Sequence, residues 1–397
     1  MAGLGDFCGV WWNMAEGECS SKKVWVIDVA VVTPLAHDLD GLWNRILSGE
    51  TSIRRVQRFP VERYTSRIAS LMEDLIPSGG QSLIHALIDR LFAKTGPVPS
   101  DAYLVTATTK AGIDNLERLR HEIPADPNDI LLNSIPDIVS KKFGLEGRAI
   151  NISAACASSA IAVARGAALI ATGRADAVLV CCLDVVTEFV FSGFSSLGAL
   201  SPVPCMPFDR ERKGLSLGEG AAALMLMSRE KAVREGRPHL GTVSGWGIAG
   251  DAHHITAPAR DGSGLIKAVR SALKSAMLEE DDLSAISAHG TGTIYNDQME
   301  LTAFRHVFGN RKVPVYSVKG AIGHTMGTAG GIEVALGLKT LLKQVVPPTV
   351  GLSNPEEDAA GRVSPSAREM KGEFMMTTNS GFGGTNAAII LKRGEKM

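Results

Sequence analysis

Residues 148–173 read RAINISAACASSAIAVARGAALIATG, and this stretch decides the fold. The first nine residues, RAINISAAC, are an apolar run that reads as a strand entering a turn. The remainder, ASSAIAVARGAALIATG, is built almost entirely of small residues and reads as a helix buried on every side. The same grammar returns in the second half. SAISAHG (284–290) and VPVYSVKG (313–320) read as strands, the first ending at a histidine and the second at a lysine. HTMGTAGGIEVALGLKTLL (324–342) is a second small-residue helix, and TTNSGFGGTNAAIILK (377–392) is a Gly-rich turn feeding a β-branched strand. Two strand–turn–buried-helix units, one led by a cysteine and one by a histidine, point to a duplicated α/β fold.

Working outward, VWVIDVAVV (24–32) and AYLVTAT (102–108) read as strands, as does DAVLVCCLDVV (176–186). Helical spacing is expected over 37–49, 82–94 and 126–144, the last interrupted at Pro136. No Pro/Gly/Ser-rich linker separates the halves. The chain has 397 residues, 45% hydrophobic but only 5% aromatic, as expected of closely packed helices on sheets. A net charge of −1 argues against a nucleic-acid partner, which needs clustered positive charge. No run approaches the 18 or so apolar residues of a membrane span. The N-terminus carries Asp6, Glu16 and Glu18 and no basic segment, so it is not read as a secretory signal, and a cytoplasmic location is expected. Six cysteines (8, 19, 156, 181, 182, 205) lack a recurring CxxC, which argues against a zinc site.

One cysteine has a context that calls for chemistry. Cys156 stands where a strand ends and a helix begins, and the free N–H groups of a helix N-terminus favour a thiolate there. Ala154, Ala155, Ala157, Ser158 and Ser159 leave room for a substrate. Taken alone, this context fits a buried structural thiol equally well. His289 lies in AHGTGT, with Thr291 and Thr293 beside it, and His324 opens GHTMGTAGG. A helix N-terminus disfavours imidazolium, so His324 is expected to be neutral and able to donate to a developing oxyanion. Lys319, five residues earlier, is expected to be held by a carboxylate, with Glu300 the candidate. GFGGTN (381–386) does not fit a dinucleotide loop, because β-branched residues follow it; it reads as a turn presenting backbone N–H groups. Five arginines between 54 and 67 read equally as a solvated face or as a dock for an acidic partner.

Seven segments in order resemble the β-ketoacyl-acyl-carrier-protein synthases of the thiolase-fold condensing enzymes. They are TPLA (33–36), AACASS (154–159), PFDRERKGLSLGEGAA (207–222), AHGTGT (288–293), SVKGAIGHTMGTAGGIE (317–333), VPPT (346–349) and NSGFGGTNA (379–387). The resemblance is closest to the elongating type with one Cys and two His. It implies a thiolase-like five-layered αβαβα fold with internal pseudo-twofold duplication. The expected division is an extension over 1–23, an N-terminal half over 24–240 and a C-terminal half over 241–397. It further implies that Cys156 accepts the acyl group, that His289 and His324 assist decarboxylation of a malonyl-carrier, and that Lys319 and Glu300 form a supporting ion pair. The N–H groups of Cys156 and Phe382 would form an oxyanion hole, Phe382 would act as a gate, and Thr291 and Thr293 would hold the pantetheine arm. No metal or soluble cofactor is implied; the phosphopantetheine belongs to an acyl carrier protein, the expected partner. The expected assembly is a homodimer, with a heterodimer with a paralogue as the alternative. The competing activities are a non-decarboxylating thiolase or acyltransferase and a chain-length-factor-like subunit. The presence of Cys156 argues against the latter.

Overall fold

The computed structural model of the chain describes residues 21–395. Ten strands form the large sheet: β1 (Val24–Val32), β2 (Tyr103–Ala107), β3 (Ala149–Ile152), β4 (Ala177–Asp184), β5 (Gly220–Ser228), β6 (Gly241–Gly250), β7 (Leu283–Ser287), β8 (Val315–Tyr316), β9 (Phe374–Gly381) and β10 (Thr385–Arg393). Their spatial order is β8-β7-β9-β10-β6-β1-β5-β4-β2-β3. The first five strands thus run β1-β5-β4-β2-β3 and the second five β6-β10-β9-β7-β8, the same path taken twice. Directions repeat as well. β2 is parallel to β3 and β4, while β5 is antiparallel to β4 and β1. β7 is parallel to β8 and β9, while β10 is antiparallel to β9 and β6. The halves meet at a short antiparallel seam, Trp25 opposite Thr242 and Val26 opposite Gly241.

Helices α1 (Leu83–Phe92) and α2 (Ile135–Phe143) cover the outer face of the first-half strands. α3 (Ser158–Ala171) and, further along the chain, α7 (Ala329–Lys343) pack on each other and on strands of both halves. α4 (Glu188–Ser196) lies beside the site. α5 (Ser263–Ala276) covers the second-half strands, and α6 (Ile294–Phe308) packs against α5. The stack is α1/α2, strands, α3/α7, strands, α5/α6: five layers, as expected. The small residues of α3 and α7 find their reason here, because each helix has a neighbour on all sides and little room for large side chains. Apart from Ile161, Arg165 and Ala171, every α3 residue is buried, as is every α7 residue from Ala329 to Leu341.

Several expectations shift. Pro136 does not interrupt a helix; it sits in the first turn of α2, where its missing N–H costs nothing, and two 3₁₀ turns fill 127–134. The strand over 313–320 shrinks to Val315–Tyr316, and Lys319 opens a short helix, Lys319–Ile322. Residues 377–392 are a hairpin, with β9 pairing β10 across the glycine turn. Strands β5 and β6 do not show in the residue pattern. GAAALMLMS is made of helix formers and GTVSGWGIAG is glycine-rich, so burial in the sheet overrides local preference. Cys8, Cys19 and most of the 1–23 extension lie outside the described residues. Among the described residues no helix is long and apolar enough to cross a membrane.

Candidate active site

Every loop that carries a candidate group leaves the C-terminal end of a parallel strand: β3 leads to Cys156, β7 to His289, β8 to Lys319 and His324, and β9 to Phe382. Open α/β sheets place ligands at these ends. The duplication brings the four loops face to face. Ala155 takes a left-handed conformation, φ 47°, which an alanine adopts only under constraint, and so turns the chain sharply before Cys156. Ser158 fixes that turn, its Oγ donating to Ala155 O and accepting from Ala154 N.

Cys156, His289 and His324 are all buried, and one ligating atom of each lies within 4.8 Å of the others. Cys156 Sγ is 2.9 Å from His324 Nε2. The two imidazoles stand nearly perpendicular, with ring centroids 5.1 Å apart. Burial and the Lys319 ammonium hold both far below the usual imidazole range, so both are neutral. The thiol departs from expectation. Burial pushes Cys156 up to about 11, outweighing Lys110, Lys319 and the Phe382 N–H, which pull it down. A helix N-terminus does not by itself produce a thiolate in so dry a place. The Gly381 Cα faces Cys156 N so closely that an added Cβ would lie 3.2 Å from it.

The expected Lys319–Glu300 pair is not formed. Lys319 Nζ lies 2.5 Å from Glu333 Oε1 and also donates to the carbonyl of His289. Glu300 is already saturated. It accepts from the N–H groups of His289 and Gly290 (2.8 and 2.6 Å), from Thr378 Oγ1 and from Asn296 Nδ2 (each 3.0 Å). Glu300 thus shapes the histidine loop, and Glu333 on α7 is the counter-ion. The sequence does carry a signal for Glu333: an acid inside a wholly buried small-residue helix needs a partner.

Sequence reasoning does not find Asn379. Its Nδ2 donates to Glu333 Oε2 at 2.7 Å and lies 3.5 Å from His289 Nδ1, which Lys319 Nζ approaches at 3.4 Å. Both neighbours are donors, so Nδ1 offers its lone pair and the proton resides on Nε2, the nitrogen left free to face a substrate. The Cys–His–His cluster has the composition of a metal site, which sequence spacing does not reveal because three separate loops supply it. Lys319 argues against such use, since a ligating histidine usually donates its other N–H rather than receiving one. Lys110 is a further unforeseen group. It bonds Thr109 Oγ1 at 2.8 Å, and Thr109 in turn bonds Asp184, which also takes the N–H of Gly327.

Cys156, His289 and His324 line one cavity of about 330 Å³ together with Thr291, Thr293 and Phe382. Asp297 folds the Thr291–Thr293 turn by accepting the N–H groups of Thr291 and Gly292. Phe382 stacks on Phe194 of α4, centroids 5.8 Å apart. Of the five arginines between 54 and 67, Arg58 is structural: it is largely buried in a forked pair with Glu219 at 2.6 and 2.7 Å. Arg55 and Arg63 are paired with Glu62 and Glu188.

Residues 100–232 match the N-terminal domain of β-ketoacyl synthase, and residues 240–353 match its C-terminal domain. The 3-oxoacyl-acyl-carrier-protein synthase 2 of Rhizobium meliloti (strain 1021) is 30% identical over 421 residues, covering 94% of this chain and 99% of the relative. The chain belongs to the β-ketoacyl synthase family. The synthase 2 of Vibrio cholerae is 29% identical, covering 94% of this β-ketoacyl synthase and 100% of its relative. Among solved structures, the ishigamide ketosynthase/chain length factor superposes with a TM-score of 0.87 at 25% identity, over 94% of this chain and 99% of that one. A β-ketoacyl synthase from Burkholderia phymatum STM815 gives 0.85 at 25% identity, again over 94% and 99%. The protein is therefore a ketosynthase, an acyltransferase-type enzyme of fatty-acid or polyketide synthesis.

Proposed function

We propose that Cys156 accepts an acyl group from an acyl carrier protein and condenses it with a malonyl-carrier, releasing CO2 and a 3-oxoacyl-carrier. The observation that carries this reading is the convergence of one buried thiol and two neutral imidazoles on one cavity. In loading, the thiol must lose its proton as it attacks the thioester. His324 Nε2, 2.9 Å away, is the base in reach, and its low basicity returns the proton to the departing carrier thiol. The N–H groups of Cys156 and Phe382 stabilise the tetrahedral oxyanion. In condensation, the malonyl C–C bond breaks and its electrons flow into the thioester carbonyl. His289 Nε2–H and His324, in the tautomer that carries its proton on Nε2, stabilise the enolate oxygen without quenching its carbon, which attacks the acyl-Cys156 thioester; the cysteine sulfur leaves as a thiolate and takes up one proton from solvent. Lys319, held by Glu333, fixes the tautomer and position of His289. Thr291 and Thr293 receive the pantetheine arm. The phosphopantetheine arrives with the carrier, and no further cofactor enters this scheme.

We assign the reaction to the cytoplasm, where the four described cysteines, all free, would stay reduced. The halves 24–240 and 241–397 act as one unit, each supplying part of the site. Cys156→Ala should abolish both acylation, read by intact mass, and CO2 release coupled to product. Continued chain extension by that variant would refute the assignment. The likeness to the ishigamide ketosynthase/chain length factor favours a second reading of assembly, in which this chain is the active half of a heterodimer. Co-purification with a paralogue lacking the cysteine separates it from a homodimer.

A further inference from the structure

The buried and half-buried cations around the site are compensated, except one. Lys319 has Glu333, Arg58 has Glu219, and Arg212 has Glu356 and Asp297. Lys110 is half-buried and forms no ion pair among the described residues. It stands on the loop 108–111, which leaves the C-terminal end of β2, the same end of the sheet as the other site loops. Ala111, the next residue, is left-handed at φ 48°, so the backbone there is held under constraint. The loop packs into the catalytic centre. A Cβ added at Gly327, three residues after His324, would lie 2.9 Å from Thr109 Cγ2 and 3.4 Å from Ser158 Cβ, two residues after Cys156. A hydroxyl fixes the ammonium. Thr109 Oγ1 donates to Asp184 Oδ2 at 2.9 Å and so accepts from Lys110 Nζ at 2.8 Å. Asp184 is not the missing counter-ion. Its two oxygens are taken by Thr108 Oγ1, Thr109 Oγ1 and the N–H groups of Thr109 and Gly327. Lys110 therefore keeps ammonium donors to spare. Its charge also reaches the nucleophile: it pulls the Cys156 thiol down more than Lys319 does, and it acts on His324.

We propose that Lys110 selects the acyl group carried on Cys156, and that the group it selects is a short chain ending in a carboxylate. An ammonium partly withdrawn from water and lacking a counter-charge gains most from a full anion, which it meets through charge-assisted hydrogen bonds. The other anion that visits the site is the malonyl carboxylate, and Lys110 is a poor seat for it. Pairing there would stabilise the very charge that must vanish as CO2 leaves, favouring the ground state over the transition state. A carboxylate at the end of the acyl chain keeps its charge throughout the reaction, so its pairing holds the chain without opposing the chemistry. Lys110 also lies outside the lining of the cavity shared by Thr291 and Thr293, so the chain that meets it is the one on the cysteine and not the incoming arm. The inference rests on the reading that Cys156 is acylated.

The test uses the full chain and follows acylation of Cys156 by intact mass. The donors are N-acetylcysteamine mono-thioesters of glutaric and adipic acid, set against the pentanoyl and hexanoyl thioesters of the same lengths. The wild type should acylate about tenfold faster with at least one carboxylated donor than with its plain counterpart, the discrimination expected of one charge-assisted hydrogen bond. Lys110→Met should reverse that order, and Lys110→Arg, which keeps the charge, should retain it. A lysine with a merely structural role would slow both classes together in Lys110→Met and leave their ratio fixed; that result overturns the proposal, as does a wild type that favours the plain chains. A 3-oxohexanoyl thioester preferred over the carboxylated donors would show that the ammonium serves a neutral carbonyl, and would overturn the carboxylate. If Cys156 takes up none of these groups, nor any from an acyl-carrier, the acyl-cysteine reading itself has failed.

Discussion

At the scale of single residues, the two glutamates near His289 have different roles, and their removal should show it. Glu333→Gln leaves the Lys319 ammonium buried without a counter-charge, so stability should fall by about 3–5 kcal/mol in urea denaturation. Adding Lys319→Met removes the orphan charge and should recover most of that loss, while condensation stays impaired because His289 has lost the donor that fixes its tautomer. Glu300→Gln should instead cost about 1–3 kcal/mol, since an amide cannot accept from four donors, and Lys319→Met should not rescue it. The histidines give a second prediction with a definite sign. Both have native pKa values depressed well below 6.5, so below that pH the unfolded chain binds protons that the native state refuses. Their contribution is intact above about pH 6.5 and is lost as pH falls, each adding up to about 1.4 kcal/mol per pH unit to the slope. His324→Asn should flatten the acid limb of stability against pH by one proton; an unchanged slope would show that His324 protonates freely in the native state.

At the scale of elements, the packing of α7 on the first-half strands is set by side chains that are missing. A Cβ added at Gly331 would lie 2.3 Å from Cys182 Sγ on β4. Gly331→Ala should therefore destabilise by about 1–3 kcal/mol, despite alanine's better helix propensity. Cys182→Ala removes the clashing sulfur, so the double variant should be more stable than the sum of the two single changes predicts, by about 1 kcal/mol or more in a thermodynamic cycle. Strict additivity would mean that the helix shifts to make room. The same elements show what is legible in the sequence. The strand–turn–helix units around Cys156 and His324 are readable because a helix of small residues after a β-branched strand fits little besides a layer buried between sheets. β5 is not readable, because GAAALMLMS carries helix-forming residues and becomes a strand only by lying between β1 and β4. The counter-ion of Lys319 is hidden for a related reason: Glu300 and Glu333 are both within reach of Lys319 in sequence, and only the packing of α7 beneath β9 decides between them. Asn379 and Lys110 lie at strand ends that nothing in the local pattern distinguishes.

At the scale of the whole molecule, the two ends of the sheet differ. β8 closes one end and is fully buried, whereas β3 closes the other with every residue only partly covered. A half-covered edge strand presents unpaired N–H and C=O groups and invites pairing with a second chain. The segments on that side of the molecule expose large apolar side chains: Leu116 and Leu119 of the short helix Asp114–Arg120, then Ile123 and Leu131. These two features support an association face at the β3 edge, distinct from the cavity rim. The chain purified alone should run at twice its monomer mass in light scattering. Leu119→Glu combined with Ile123→Glu should shift it to monomer without lowering its unfolding midpoint in dilute solution, because both side chains are exposed in the single chain. If the wild type is monomeric alone and dimeric only with a co-expressed paralogue, the same face serves a heterodimer, and the paired glutamates should then break that complex. If the variant remains a dimer, the association face lies elsewhere and the open β3 edge must be covered by something other than a second chain.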